Sequence, residues 1–221
     1  MIDKIKALAI EQGAWEVGFS KIEPPCEYKN LNNAISIVVK LSDSVIDAID
    51  DKPTYTYFHH YRTVNALIDR ITLRVGMFLE QNGANYVCVP ASQSHGREYH
   101  GLYSHKQAAI ASGLGSIGKN ALFMSEKYGA RVRLGTVLTD MDLSAGYKKP
   151  LEKSLCYDCM LCVKAGPAMA LSGAAFDSEN PDKKLVDAES CSKYMKEKFQ
   201  LIGRGSVCGI CIKKCPYRGV K

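Results

Sequence analysis

The sequence predicts an α/β (α+β) domain over residues 1–145, followed by a small cysteine-rich domain over residues 146–221. In the first part, segments with apolar residues at helical spacing alternate with short β-branched runs. This alternation favours a sheet flanked by helices over a β-sandwich. In the second part Gly, Pro, Lys and Cys become frequent and long periodic patterns disappear. That change predicts a loop-rich domain held by metal and not by a core.

The first domain is predicted to contain three helices and three strands. Each helix has an apolar face and ends at a glycine, and each strand is a short run rich in β-branched residues. In chain order the predicted elements are helix 3–12, strand 34–40, helix 63–81, strand 85–89, helix 104–112 and strand 131–139.

The composition is that of a soluble globular protein, with 46% apolar and 24% charged residues. No apolar run approaches the roughly 18–20 residues needed to span a bilayer. The N-terminal stretch MIDKIKALAIEQG is not a signal peptide. We therefore expect a cytoplasmic protein without a membrane partner. The net charge of +6 peaks at CIKKCPYRGVK, which suits an acidic docking partner, although a solvated face is the simpler explanation.

Nine cysteines are many for a cytosolic chain, where clustered thiols more often bind metal than form disulfides. In two-cluster ferredoxins, the cysteine that precedes a proline ligates the other cluster. Cys215 precedes a proline in CGICIKKCP and would therefore join the three cysteines of CYDCMLC. The first predicted site is a [4Fe–4S] cluster held by Cys156, Cys159, Cys162 and Cys215.

The second predicted site lacks one cysteine. The same rule assigns to it Cys191, Cys208, Cys211 and the residue before Pro167, which is Gly166. Three outcomes stay open: a [3Fe–4S] cluster; a [4Fe–4S] cluster with water, an exogenous ligand or another side chain on the fourth iron; or no cluster. Zinc is the alternative metal, although three thiolates at consecutive two-residue spacing suit it poorly.

The remaining cysteines are interpreted separately. Cys88 lies between valines in a predicted strand and is expected to be a small buried residue. Cys26 follows two prolines in a loop and is a weaker candidate for a metal ligand.

The glycine-rich segment ASGLGSIGKNALF, residues 111–123, provides candidate cofactor-binding residues because glycine lets a ligand approach the backbone closely. As a nucleotide motif it is weak, since no strand immediately precedes it and the spacing of a phosphate-binding loop is absent. The candidates are Gly113, Gly115, Gly118, Lys119 and Asn120.

Taken together with YGARVRLGTVLTD, CYDCMLC and CGICIKKCP, this segment resembles the epoxyqueuosine reductase family, which is related to the corrinoid reductive dehalogenases. IKALAIEQGAWEVGFSKIEP and YFHHYRTVNALIDR are also similar, so the resemblance covers nearly the whole chain. It implies a nitroreductase-like domain that can hold base-off cobalamin, followed by a ferredoxin-like domain with two clusters. The ligand sets that it implies are those deduced above. An electron donor such as ferredoxin or flavodoxin and a small-molecule or corrinoid substrate are expected.

Several features depart from that family. Gly166 stands where the family has its fourth ligand to the second cluster, and VCVPASQSHGREYH lacks the catalytic aspartate of the tRNA-modifying enzymes. The sequence also stops six residues after Cys215, without their tRNA-holding extension. We therefore expect the chemistry to be kept while epoxyqueuosine in tRNA is not the substrate.

A proton donor is needed for reductive cleavage, and the segment SHGREYHGLYSH offers replacements for the aspartate because histidine titrates near neutral pH. A polar surface turn is the simpler interpretation of this segment. The candidate catalytic residues are Ser92, His95, Tyr99, His100, Tyr103 and His105. The aromatic stretch YTYFHHY, residues 55–61, is expected either to line a planar macrocycle or to cap a core.

Three functions compete on the sequence alone. The first is an iron–sulfur reductase that passes single electrons through two clusters to a cofactor or substrate, with a cobamide as the expected cofactor. The second is a cobalt-free electron-transfer module that docks a partner or binds flavin. The third, nucleic-acid binding, is disfavoured because the basic residues do not form one stripe with interleaved aromatics.

Overall fold

The computed structural model describes residues 1–93, 99, 101–177, 180, 183–205 and 207–220. Helices and strands are mixed along the chain, which confirms the predicted α/β class. The helices are α1 (Ile2–Glu11), α2 (Asp43–Asp47), α3 (Tyr55–Gln81), α4 (His105–Ala111), α5 (Leu161–Ala165), α6 (Ala188–Gly203) and α7 (Ile210–Lys214). The strands are β1 (Glu16–Lys21), β2 (Asn33–Lys40), β3 (Tyr86–Val89), β4 (Gly115–Ile117), β5 (Phe123–Ser125) and β6 (Val132–Thr139).

The chain divides into two compact units, each made of three segments. Unit 1 consists of Met1–Lys40, Thr63–Leu114 and Arg133–Leu151. Unit 2 consists of Leu41–Arg62, Gly115–Val132 and Glu152–Lys221. The cysteine-rich C-terminal part therefore groups with two segments that precede residue 145. Among the described helices, none combines the length and the apolar character needed to cross a membrane.

Unit 1 is built on a four-stranded sheet with the order β1-β2-β6-β3. β1 pairs antiparallel with β2, placing Phe19 opposite Ile35, and β3 pairs antiparallel with β6. Nearly every residue of β2 is buried. Such continuous burial requires cover on both faces of the strand, because successive side chains point to opposite sides.

Helices supply this cover. The hydroxyls of Ser112, at the end of α4, and Ser36 lie within hydrogen-bonding distance at 3.2 Å, so α4 lies on one face of β2. Ile37 points to the other face. There Gly135 of β6 approaches α3 so closely that a Cβ would lie 2.5 Å from the Ile68 methyl group. The apolar run that predicted a buried strand thus reflects a strand packed between two helices.

The predicted helix ends are confirmed where a glycine terminates the pattern. α1 ends at Glu11 and Gly13 has a φ of +108°, which is the backbone geometry of a helix C′ residue. The predicted start of the long helix is wrong, since α3 begins at Tyr55 and not at residue 63. β1 was not predicted from the sequence, because Gly18 and Ser20 interrupt its apolar pattern.

Unit 2 contains the β4–β5 hairpin, a pair of short packed helices, α5 and α7, and the longer α6. A small core joins Met124, Ala130 and Cys215, with Tyr217 packed against it. This small core corrects the expectation of a domain without a core. The expectation of a loop-rich domain is also corrected, because α6 has 16 residues and buries Phe199. Its many charged residues hide this pattern in the sequence.

A buried arginine ties several segments of unit 2 together. Arg131 has a 2% exposed side chain and donates to Asp43 at 2.9 Å and to Asp47 at 2.6 Å. Lys213, in the last turn of α7, contacts the same Asp47 carboxylate at 3.3 Å. Because Arg131 is charged and buried, these carboxylates offset the desolvation that its burial costs.

Candidate functional site

Four cysteines of unit 2 line one cavity of about 250 Å³. Three of them come from the CYDCMLC segment, and the fourth arrives from the end of α7. They are Cys156, Cys159, Cys162 and Cys215. The rest of the wall is largely apolar and includes Met124, Leu155 and Tyr217. Four thiols around a largely apolar cavity suit a soft metal cluster by the chemistry of the donor set.

The β4–β5 hairpin positions the first of these cysteines. The backbone N–H of Lys119 points at the Cys156 sulfur at an N···S distance of 3.5 Å. The Ser116 hydroxyl accepts from the N–H of Leu155 at 2.9 Å. An N–H directed at a sulfur stabilises the thiolate form that a metal requires.

Two of the other three cysteines are positioned by short helices. Cys162 is the second residue of α5 and is buried, and Cys215 is the C-cap of α7. Burial raises the pKa of Cys162, and the charges of Cys156, Cys215 and Cys159 raise it further. Thiolates grouped in this way repel one another unless a cation lies among them.

A second set of cysteines forms in the same unit. Cys191 lies in the first turn of α6, Cys208 precedes α7, and Cys211 is the second residue of α7. Burial raises the pKa of Cys211 to about 12, with the charges of Cys208, Cys162 and Cys191 adding to the effect. The three thiols of this set therefore lie within electrostatic reach of one another, and Cys162 of the first set lies near them.

The structure thus brings together the cysteines that spacing had grouped, and their roles as cluster ligands stay a prediction. Within the described residues, no three His, Cys, Asp or Glu side chains are grouped as ligands of a single metal ion. The two cysteines outside the sets differ from them. Cys26 is exposed, and Cys88 is half-buried in β3, less buried than its strand position predicted.

The glycine-rich candidates lie in two places. Gly113 is in unit 1 and has a φ of +69°, and a Cβ there would lie 2.5 Å from the carbonyl oxygen of Lys149. A Cβ at Gly115 would collide with the carbonyl of Met124 in the β4–β5 hairpin, and one at Gly118 would lie 2.5 Å from the Met124 sulfur. The space beside these glycines is filled by the chain itself, so close packing is sufficient to explain them.

The other two candidates of that segment lie at the first cysteine set. Lys119 donates its N–H to Cys156, as described above, and Asn120 is 4% exposed and lines the same cavity. Both residues therefore lie beside the first cysteine set.

Unit 1 contains a second cavity, of about 400 Å³, at the end of β3. Of the six predicted catalytic residues, four line it: Ser92, Tyr99, Tyr103 and His105. His95 and His100 lie outside the described residues. Lys106, which was not predicted from the sequence, also lines this cavity. It follows directly after His105 at the start of α4, and only the position of that helix reveals it.

His105 is held by two hydrogen bonds. Its Nε2 lies 3.1 Å from the carbonyl oxygen of Pro90, and its Nδ1 lies 2.8 Å from the Thr136 hydroxyl. Because a carbonyl oxygen only accepts, Nε2 carries the proton and Nδ1 of the neutral ring accepts from Thr136. Burial lowers the pKa of His105 below its ordinary value of 6.5. In this geometry His105 is neutral and holds the loop after β3.

Tyr103 and Lys106 have a different character. The Tyr103 ring packs against the core cluster that includes Leu31 and Ala108, which fixes its orientation. Burial raises the pKa of Tyr103, with the charge of Glu23 adding to the effect, so the phenol stays protonated at neutral pH. Burial lowers the pKa of Lys106. The cavity therefore has a phenol donor and an amine of weakened basicity on one wall.

Two charged residues, neither of which was predicted from the sequence, hold the backbone of Ala91 in the loop after β3. Asp69 of α3 accepts from the N–H of Ala91 at 2.9 Å, and Arg133 of β6 donates to the Ala91 carbonyl at 3.2 Å. Arg133 also donates to Asn65 at 2.9 Å. The sequence contains a signal for Arg133, because it is a charged residue within the pattern of a buried strand. Burying a charge is costly unless the charge has a partner.

The aromatic stretch at residues 55–61 forms the first turns of α3. Tyr57 is 3% exposed, and a Cβ at Gly209 would lie 2.8 Å from its ring. Tyr57 and Tyr61 contact each other edge to face, with ring centroids 6.3 Å apart. This stretch was expected either to line a planar macrocycle or to cap a core, and the burial of Tyr57 supports the second role.

Comparison with known proteins shows similarity to two groups of reductases, as the sequence motifs had indicated. A tetrachloroethene reductive dehalogenase of Desulfitobacterium hafniense is 25% identical over 217 residues, which cover 92% of this chain and 37% of that protein. An epoxyqueuosine reductase of Gloeobacter violaceus is 38% identical over 94 residues, which cover 42% of this chain and 26% of that protein. The chain thus spans about a third of the length of these relatives. No protein-family model matches it.

Solved structures of both groups share the fold. A catabolic reductive dehalogenase, NpRdhA, in complex with 3-bromo-4-hydroxybenzoic acid, superposes with a TM-score of 0.75 at 21% identity, covering 98% of this chain and 32% of that one. An epoxyqueuosine reductase from Streptococcus thermophilus gives a TM-score of 0.58 at 19% identity, covering 99% of this chain and 67% of that one. A further dehalogenase structure, with a TM-score of 0.75, concerns B12-dependent dehalogenation. The resemblance stated from the motifs is confirmed, and the relatives are reductases.

Proposed function

We propose that the protein is an iron–sulfur reductase in which unit 2 carries two clusters and unit 1 binds the substrate. The observation that carries this proposal is the arrangement of the cysteines. Two sets of cysteines lie in one unit, and the helices α5 and α7, which carry Cys162 of one set and Cys211 of the other, pack against each other. The sets are Cys156, Cys159, Cys162, Cys215 and Cys191, Cys208, Cys211. Clusters in these positions would be neighbours, as the passage of single electrons requires. The reductase names of the relatives support the same chemistry.

The cavity of unit 1 supports the substrate side of the proposal. Its volume of about 400 Å³ is in the range of small-molecule sites. Reductive cleavage of a bond to carbon consumes a proton as well as electrons. Tyr103 can supply that proton from its hydroxyl, because its raised pKa keeps the phenol protonated and its ring is fixed by the core. Lys106 would then favour an anionic group or return the proton to Tyr103.

His105 has a supporting part in this scheme. Since both of its ring nitrogens are engaged by Pro90 and Thr136, it positions the loop after β3 and does not deliver a proton. The hydrogen bonds of Ala91 with Asp69 and Arg133 hold the neighbouring backbone in place. Pro90 and Ala91 are therefore held in place at the cavity wall, and a fixed wall helps to orient a substrate.

A cobamide is the proposed cofactor because a similar structure concerns B12-dependent dehalogenation. When bound, it would supply a strongly reducing cobalt centre. The cavity in unit 1 has the volume of a small-molecule site, and none of its described wall residues is specific for a corrin ring. No residue is therefore assigned to the corrin. The substrate class is a small organic molecule with a bond that can be cleaved reductively, such as an aryl halide, the class of molecule bound to NpRdhA.

The test uses protein purified and reconstituted without oxygen. Cobamide is added, the protein is desalted, and iron and cobalt are measured together with the corrin spectrum. We expect cobalt to be retained in a base-off form and a viologen reductant to drive debromination of a bromophenol. Zinc in place of iron would overturn the proposal. Iron clusters without retention of cobamide or flavin would instead indicate the alternative, an electron-transfer module that docks a partner.

A further inference from the structure

Gly166 occupies the same local position as Cys215. Each residue follows a five-residue helix, α5 or α7, and precedes a proline. Each helix has a cysteine at its second position, Cys162 or Cys211. The backbone angles agree closely, with φ −68° and ψ 109° at Gly166 and φ −67° and ψ 121° at Cys215. The two helix ends are therefore equivalent halves of one repeated structure.

The repeat indicates which site Gly166 faces. The end of α7 brings Cys215 to the cavity at the start of α5, where Cys162 lies. Because α5 and α7 pack together and are equivalent, the end of α5 is expected to face the start of α7 in the same way. Gly166 then corresponds to a missing fourth ligand beside Cys208 and Cys211.

The backbone does not require a glycine at this position. Its φ is negative and open to any residue. A Cβ there would lie 3.5 Å from the Cys162 carbonyl oxygen, 3.6 Å from that of Val163 and 3.8 Å from a Leu171 methyl group, all ordinary contacts. Neither the backbone conformation nor the packing therefore requires a glycine at position 166, and its effect is to leave out a thiolate.

Among the described residues, one carboxylate acts on this set, and its oxygens are engaged elsewhere. Asp187 acts on the pKa of Cys191 through its charge. Its two oxygens, however, accept from the N–H of Ser190 at 3.1 Å and from the Ser190 hydroxyl at 2.5 Å, as the N-cap of α6. A carboxylate held in this way stabilises the helix and is not directed at a metal.

We propose that the second cysteine set holds a [4Fe–4S] cluster with three protein thiolates, and that the iron on the Gly166 side binds an exogenous soft anion, a small-molecule thiolate. Soft thiolates are the ligands that iron in such clusters prefers. The inference rests on the proposed function only for the presence of clusters.

The test is spectroscopic and independent of turnover. Reconstituted wild-type protein is titrated with β-mercaptoethanol, and the reduced clusters are followed by electron paramagnetic resonance and Mössbauer spectroscopy. We expect one of two clusters to contain a distinct iron and to respond to the thiol in a saturable manner. A three-iron signal that persists with excess ferrous iron, an absent second cluster or insensitivity to the thiol would overturn the proposal.

Variants at one position make the test specific. Gly166→Cys should abolish the response to added thiol, because the new side chain occupies the open iron. Gly166→Ala adds the same Cβ without a ligand and should keep the response. If Gly166→Cys keeps the response, the open iron is not beside Gly166. If Gly166→Ala loses it as well, the loss does not come from a new thiolate ligand. Either outcome makes the inference wrong. A thiol response without cobamide retention would contradict the proposed cofactor and leave this inference standing.

Discussion

Cys162 of α5 and Cys211 of α7 lie close to each other although spacing assigns them to different cysteine sets. After burial and the charge of Cys208, the charge of Cys162 contributes to raising the pKa of Cys211 to about 12. The two helices pack against each other within unit 2. Two clusters that share this border would be near enough for their unpaired spins to interact.

The first prediction follows from that proximity. Cys162→Ser should remove the first cluster, because a serine oxygen is a poor ligand for a soft metal site. Iron content should fall by roughly half, since the other set is intact. The resonance spectrum of the reduced protein should change from a broadened, interacting pattern to that of one isolated cluster. Cys26→Ser, at an exposed cysteine of unit 1, is the control and should change neither signal. Unchanged iron content in Cys162→Ser would contradict the ligand assignment.

The second prediction concerns the proton donor. Tyr103→Phe keeps the ring that packs on the core and removes only the hydroxyl, so binding of a bromophenol should change little. Viologen-driven debromination should slow by about 10²-fold or more, which is typical for loss of a positioned acid. Tyr86→Phe, in β3 but not in the cavity wall, is the matched control. Equal rates in both variants would exclude Tyr103 as the donor.

The third prediction concerns pH. Burial, and then the charge of Arg133, lower the pKa of His105 below 6.5, while the Pro90 hydrogen bond and Asp69 oppose this shift. The unfolded chain therefore binds a proton at a higher pH than the folded chain does. Above pH 6.5 this group imposes no cost, and below it stability is lost as pH falls through the lowered pKa.

Fluorescence of Trp15, the one tryptophan in the sequence, can follow the unfolding of unit 1. Between about pH 7.5 and about pH 5.5 the wild type should lose more stability than His105→Gln does. His59→Gln, at an exposed histidine of unit 2, should behave as the wild type does. The same pH dependence in all three proteins would show that His105 is not the titrating group.

The fourth prediction concerns the buried arginine. Asp47→Asn removes one of the two carboxylates bonded to Arg131 and the contact with Lys213. Since Asp47 is 46% exposed and Asp43 remains, we expect a loss of about 2 kcal/mol, less than for a fully buried pair. The melting temperature should fall by roughly 5 °C in anaerobic calorimetry. Asp51→Asn, at an exposed aspartate of the same unit, should have a negligible effect, and an equal loss there would argue against the network.

The sequence predicted those elements whose signals are local. The β-branched run of β2 and the stop of α1 at Gly13 need only the period of the apolar residues and the backbone freedom of glycine. β1 and α6 were missed because Gly18 and Ser20 in one, and the many charged residues in the other, mask patterns that tertiary packing completes. Gly18 is a clear case, since its missing side chain makes room for Ser112 and Leu114.

What the sequence by itself determined is the grouping of the cysteines, because thiolate spacing along a short segment is a local property. What only the tertiary structure decided is which other residues share the sites. The Lys119 N–H at Cys156 and Lys106 beside Tyr103 depend on contacts that spacing does not encode. Only the structure shows that Pro90 and Thr136 occupy both ring nitrogens of His105, because these contacts join residues far apart in the sequence.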